Sequence, residues 1–336
     1  MLSPAFQRVA AFTDLHLGNK NNSQEFHQDC HDYIAWFIEQ AKEFGAETCI
    51  FMGDFFHKRS AINVLTLNVA LEILERLSQA FRVVYVLVGN HDMYFRNNRL
   101  VNAIEIGRNL DNVVLVRDLL TVGDMTLVPY LVENEWRDIR KLKSRYVFGH
   151  FELPGFLMNA MIEAPDHGLI NAGHFEHQEY VFSGHFHKRQ QSGKIFYIGN
   201  AMPHNFADTW DDARGCMLLE HGGTPDLLNW ADCPKYRTFR MSEFINADIR
   251  IPQKSYLRVT VDRDLSYEES NDLKQSMLDG GARTVELQMP GQIQAGDEPV
   301  MEITFEPVDQ IVIKSLEKFD SEILSPAYMI EIYQAL

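Results

Sequence analysis

Five short apolar runs in this chain each end in residues able to hold a metal ion, and no other feature constrains the fold as strongly. Asp14-Leu15-His16 closes the run Arg8–Thr13, and Gly53-Asp54 follows Thr48–Met52. Gly89-Asn90-His91-Asp92 follows Val83–Val88, Gly149-His150 follows Arg145–Phe148, and Gly184-His185-Phe186-His187 follows Tyr180–Ser183. Short β-branched and apolar runs are the pattern of strands buried on both faces. The carboxyl ends of such strands are where open α/β sheets place their sites. Each motif has an ordinary alternative when taken alone. Asp54 would suit a turn or a helix cap, Asn-His-Asp a turn, and His150 a structural histidine. Five accidents behind five strands are a poorer explanation than one shared site.

The residue types match that reading. Residues i and i+2 on an extended chain share a face, so Asp14 and His16 are expected to approach one ion together. His185 and His187 repeat the spacing, which is a chelating pattern. The Asn90 amide oxygen is a neutral hard ligand, and His91 is expected to face substrate with Asp92 orienting its other ring nitrogen. Asp14, His16, Asp54, Asn90, His150, His185 and His187 supply no thiolate and exceed the need of one ion, but they suit two that share a carboxylate. Two ions about 3.5–4 Å apart would clamp the attacking and leaving oxygens of a phosphoryl displacement.

The strand-like runs, with Ile195–Ile198 as a sixth, alternate with helix-like stretches at Gln28–Phe44 and Asn63–Ala80, which indicates a layered α/β domain. Asn63–Ala80 carries more aliphatic residues than one face against a sheet requires, so it reads either as a thoroughly buried helix or as a subunit interface. After Tyr236 the pattern changes. Strand-like Tyr256–Val261 and Thr284–Gln288 flank a helix-like Tyr267–Leu278, a small α+β unit. Val308–Leu336 reads as two amphipathic helical segments interrupted before Pro326. The expected division is therefore 1–235, 236–307 and 308–336.

Composition narrows the function classes. Four scattered cysteines without a C-x-x-C pair point to reduced thiols in an intracellular protein. No signal peptide or membrane span is visible, and no G-x-x-x-x-G-K-[ST] loop exists for hydrolysing ATP. The net charge of −16 argues at first against a polyanionic partner. Residues 241–336, however, hold 8 basic and 18 acidic residues, so most of the imbalance lies away from the motifs. Basic residues follow the ligands directly: Lys58 and Arg59, Arg96 and Arg99, Lys188 and Arg189. They are expected to contact phosphates, with solvated loop charge as the alternative. The run Arg137–Arg145 reads as an exposed basic helix face.

D-x-H, G-D, G-N-H-[D/E], a later G-H and G-H-x-H, in that order, resemble the calcineurin-like metallophosphoesterases over roughly residues 6–200. The resemblance implies a four-layer α/β/β/α sandwich with a small α+β capping domain and a short helical tail. It implies that Asp14, His16 and His187 hold one ion, that Asn90, His150 and His185 hold the other, and that Asp54 bridges them. Asp14-Leu-His-Leu-Gly18, Gly53-Asp-Phe-Phe-His57 and Gly149-His-Phe-Glu-Leu-Pro-Gly155 look most like SbcD-type nuclease subunits of SbcC/SbcD (Mre–Rad) DNA-repair complexes, in particular their bacteriophage members. What this implies is a metal-dependent DNA exonuclease and endonuclease, with His91 protonating the leaving oxygen and Asp92 behind it; manganese is the expected metal, and Asp/His/Asn ligation without Cys is equally compatible with iron or zinc. It also implies a homodimer, a coiled-coil ATPase partner docked on the tail, and a place in the cytoplasm, that of the host if the source is a phage. Two other readings share the motifs: a phosphoesterase for phosphoproteins, cyclic nucleotides or small esters, and a non-catalytic scaffold, which would be expected to have damaged ligands.

Overall fold

The computed structural model describes residues 3–158, 162–247 and 250–288, together with positions 325, 326 and 329. In chain order its strands are β1 (Arg8–Phe12), β2 (Thr48–Phe51), β3 (Val83–Leu87), β4 (Val113–Val116), β5 (Leu120–Val122), β6 (Met125–Val128), β7 (Tyr146–His150) and β8 (Tyr180–Gly184). They continue with β9 (Gln190–Ser192), β10 (Ile195–Tyr197), β11 (Gly215–Glu220), β12 (Asp226–Asn229), β13 (Lys235–Arg240), β14 (Ser255–Thr260) and β15 (Ala282–Gln288). One six-stranded sheet has the order β12-β11-β1-β2-β3-β4, the other β5-β6-β7-β8-β10-β9. Strands β1 to β4 run parallel, as do β6, β7, β8 and β10, while β11 pairs antiparallel with both β1 and β12, and β5 and β9 are antiparallel edge strands of the second sheet.

The two sheets face each other across an apolar core. Val9, Ala11, Ile50, Met52 and Leu87 of the first meet Met125, Leu127, Phe148, Phe182 and Phe196 of the second. The alternate residues of β1 to β3, among them Phe12, Phe51 and Val86, turn outward onto the helices Gln24–Phe44 and Val64–Ala80. Burial on both faces is why these strands read as unbroken apolar runs. On the outer side of the second sheet, Val147, Val181 and Tyr197 pack under loops that carry Phe151, Phe156 and Phe175, with only single turns of helix at Trp136–Ile139 and Ala172–Phe175. The result is a layered α/β/β sandwich whose fourth layer, among the described residues, is largely loop.

Local details refine the expectations. The first helix begins a turn earlier than Gln28 because Ser23 caps it, accepting from the Phe26 N–H at 3.1 Å. The second is not thoroughly buried: Ile73, Leu74 and Leu77 face the sheet, while Val64 is 80% exposed and Leu65 and Leu71 also reach solvent. The basic run Arg137–Arg145 is not a continuous helix face, since the helix ends at Ile139 and Arg145 is paired with Glu179. No helix among the described residues is long and apolar enough to cross a membrane.

A third sheet, β13-β14-β15, is parallel throughout and packs Leu257, Val259 and Val285 against Met277 of the helix Tyr267–Asp279. Its contacts with the body are specific. Arg283 grips the buried Asp29 through both terminal nitrogens, at 2.6 and 2.8 Å, and its Nε lies 2.9 Å from Glu25. Lys20 Nζ stands over the stacked rings of Tyr236 and Tyr256. Residues 289–307 of the expected cap lie outside the described residues, as does the expected tail at 308–336 apart from positions 325, 326 and 329.

Candidate metal centre

Every motif identified in the sequence arrives at one place, where the carboxyl ends of β1, β2 and β3 meet those of β7 and β8. Asp54 Oδ2 is central, 3.5 Å from His16 Nε2 and 3.4 Å from His150 Nε2. Asp14 Oδ1 lies 3.8 Å from His16 Nε2, and the Asn90 Oδ1 is 3.0 Å from both His150 Nε2 and His185 Nδ1. Two donors about 2.1 Å from a shared ion stand roughly 3–3.5 Å apart, so these separations are those of groups converging on cations. Asp14, His16, Asp54, Asn90 and His150 are buried, as is the side chain of His185, whereas His187 is half-buried.

The backbone makes this convergence possible in a way the spacing alone did not indicate. Asp14 and His16 are not on an extended strand. Both have left-handed backbone, with φ of 54° and 49°, as do Asp54 and His185 at 60° and 83°. Non-glycine residues occupy that region at an energetic cost and cluster at functional sites. Here the chain turns because Asp14 N donates to Gly53 O and His16 N to Asp54 O, which zips the first two motifs together beyond their strands. Gly89 and Gly184 serve close approach: a Cβ on Gly89 would overlap the Asp54 amide and carboxylate, and one on Gly184 the Thr13 hydroxyl.

Asp92 takes a different part from the one expected of it. Its carboxylate is fully buried and accepts four backbone amides, Oδ2 from Asp54 and Gly89 and Oδ1 from Phe55 and Phe56, at 2.9–3.0 Å. It pins the loop that carries Asp54. His91 is oriented by a carbonyl instead, its Nδ1 donating to His57 O at 2.8 Å while its amide donates to Asp54 Oδ1 at the same distance. His150 Nδ1 donates to Met52 O at 2.7 Å, which directs its Nε2 into the site.

Of the basic residues expected at phosphates, two are committed elsewhere. Arg99 is buried and binds Glu135 and the Tyr130 carbonyl. Arg189 donates to Ile198 O, Leu228 O and Asn229 Oδ1. Their guanidiniums link separate segments of the body, and sequence proximity to a ligand did not reveal that. Lys58 and Arg96 are exposed, and Arg59 and Lys188 half-buried.

Two histidines outside the expected set also stand here. The His57 Nδ1 is 3.5 Å from that of His16, and the ring stacks on His91. His204, in the loop after β10, packs its ring against His16 and His187, with centroids 4.7 and 4.9 Å away. A hint of His57 was present in the run Gly53-Asp-Phe-Phe-His57; His204 follows no recognisable motif.

The titrating groups at the centre act strongly on one another. Burial tends to raise the Asp54 carboxyl, yet the positive pull of His150 and then His91 holds it well below the usual carboxylate range. His150 is pushed up to about 9 by Asp54 against the effect of its own burial. Burial, with His16 and His91 close by, drives His57 down to about 3. The Nε2 atoms of His16 and His204 are sealed from water with no hydrogen-bond partner, a costly state for polar atoms. Carboxylates, an amide oxygen and orphaned imidazole nitrogens facing one space fit divalent cations. The donors of Asp14, His16 and Asp54 lie within 4.8 Å of one another, as do those of Asp54, His150 and His185.

This fold and this centre define a metallophosphoesterase: the chain belongs to the calcineurin-like phosphoesterase family, whose model matches residues 7–189. Among individual proteins, it is similar to Exonuclease subunit 1 of Enterobacteria phage T4, at 30% identity over 222 residues. That match covers 63% of this chain and 64% of the relative, just under two thirds of the relative's length. Solved structures with similarity include the Pseudomonas putida nuclease MPE, at 15% identity and a TM-score of 0.32 over 64% of this chain and 84% of that one. A dimetal phosphatase from Danio rerio aligns at 12% identity and a TM-score of 0.40, over 65% and 93% of the two chains.

Proposed function

We propose that this chain is a metal-dependent DNA nuclease, the catalytic subunit of an assembly with a coiled-coil ATPase that processes DNA ends. The observation that carries the reading is the position of Asp54 Oδ2 between the imidazoles of His16 and His150, in a chain similar to a phage exonuclease subunit. Asp14, His16 and His187 would hold one ion and Asn90, His150 and His185 the other, with Asp54 common to both. Bound ions, manganese being the proposed species, supply charge to the phosphate and lower the pKa of water.

The chain's own residues do the rest. His91 donates from Nδ1 to the His57 carbonyl, which leaves Nε2 as the nitrogen that, in the imidazolium form, would pass a proton to the departing 3′ oxygen. Left-handed turns at Asp14 and Asp54 keep the carboxylates aimed inward before any substrate arrives. Lys58, Arg59, Arg96 and Lys188, which follow ligand motifs in the sequence, would serve as phosphate contacts. The proposal includes a catalytic domain at 1–235, a capping domain at 236–307 and a partner-binding tail at 308–336. It also includes a homodimer, for which the exposed Val64, Leu65 and Leu71 offer an apolar face, and a cytoplasmic site of action.

End-labelled duplex DNA with manganese, with p-nitrophenyl phosphate and cyclic nucleotides in parallel, tests the reading with and without an ATPase subunit. Wild type should degrade the DNA, Asp14→Asn should not, and His91→Ala should lose turnover while keeping its ions. Turnover of the small esters with intact DNA would favour a phosphatase and refute the nuclease assignment.

A further inference from the structure

We infer that His204 is an additional protein ligand to the ion on the Asp14, His16 and His187 side, giving that ion a third imidazole and making the two metal positions chemically unequal. This rests on the two-ion reading of the centre. The first observation is position. A ring nitrogen of His204 lies within 4.8 Å of ring nitrogens of both His16 and His187, the same closeness that relates Asp14, His16 and Asp54. The second is the state of the ring. His204 is 5% exposed, and its Nε2 is buried without a hydrogen-bond partner, as is the Nε2 of His16 beside it. A buried imidazole with an unpartnered nitrogen, set beside His16 whose own Nε2 faces Asp14 and Asp54, is poorly explained as packing, because polar atoms in a core are ordinarily paired.

The loop around His204 is built to hold it. Its amide donates to Asp208 Oδ2 at 2.8 Å, Asp208 is in turn held by the fully buried Arg214 at 3.1 Å, and its carbonyl accepts from the Tyr236 hydroxyl at 3.0 Å. Partners around a ligand-bearing backbone are what fix a ligand's direction. Tyr236 lies in β13, so the first strand of the third sheet braces this donor. Together Asp14, Asp54, His16, His187 and His204 offer two carboxylates and three imidazoles, a nitrogen-rich set that favours zinc or ferrous iron over manganese relative to the Asn90 side.

The test is metal binding to the ion-free full-length chain, measured separately for manganese and zinc by calorimetry, with the number of directly bound histidine nitrogens counted by pulsed electron paramagnetic resonance on the manganese form. Wild type should bind two ions. His204→Leu, which fills similar space and removes the orphaned nitrogen, should weaken one position by at least about tenfold, the least that losing even an outer partner of a ligand typically costs. It should also lose one coupled nitrogen and weaken zinc more than manganese at that position. His204→Ala should do the same, and serves if the leucine variant does not fold. Either variant binding both ions as wild type does, with an unchanged nitrogen count, overturns the inference and leaves the two-ion reading standing. Failure of wild type to take up two ions would overturn both.

Discussion

Replacing Asp92 by Asn separates a loop-pinning role from an orienting one. The carboxylate accepts four buried amides, two on each oxygen. In the variant one oxygen becomes an NH2 group, so whichever pair of amides faces it loses its acceptor. Two buried donors left unsatisfied at about 1–3 kcal/mol each give roughly 2–6 kcal/mol. Part of this is offset. Burial, and then the Asp54 charge, push the Asp92 carboxyl up to about 7, so the neutral amide relieves a repulsion near neutral pH. The net expectation is a loss of roughly 2–4 kcal/mol, a large share of the 5–15 kcal/mol that holds a typical domain. Urea unfolding of the ion-free protein measures it, and ion affinity should fall as well because the Asp54 loop loosens. A loss below about 1 kcal/mol with unaltered ion binding but abolished turnover would refute the reasoning. That pattern would mean Asp92 acts on His91 after all.

Two further outcomes follow from the same contacts. Ions that bind only the folded chain should raise its melting temperature: at a hundredfold excess over Kd each contributes about 2.7 kcal/mol, so chelation should lower melting by roughly 5–15 °C, and identical melting curves would argue against a built metal centre. Arg283→Ala should destabilise the chain by about 3–5 kcal/mol because it strands the buried Asp29 charge; adding Asp29→Asn should recover a substantial part, and no recovery on denaturant unfolding would mean that the loss arises within the third sheet.

The sequence by itself determined where the sheet ends and which residues stand there. β1, β2, β3, β7, β8 and β10 were legible because strands buried on both faces must be apolar throughout. A parallel arrangement then delivers whatever follows them to a common edge, and this brings Asp14, His16, Asp54, Asn90, His150, His185 and His187 together. The edge strands β5, β9 and β12 carried no such signal, since Leu-Thr-Val alternates over only three residues and Gln-Gln-Ser and Asp-Leu-Leu-Asn show neither an apolar run nor a clean alternation.

Tertiary structure alone decided how the groups are used. Asp92 beside His91 in the chain looked like its partner, but the carboxylate found three amides from the loop after β2 and the Gly89 amide of its own loop. Arg99 and Arg189 beside ligands looked like phosphate contacts, yet each lies within reach of carbonyls from segments distant in sequence. His204 lies 17 residues beyond His187 with no motif around it, and only the folding of the loop after β10 brings its ring to His16 and His187. Spacing along a strand is a local property set by backbone geometry. A hydrogen-bond partner is a property of whatever the fold packs alongside, and buried polar groups take the nearest partner in space whatever its distance along the chain.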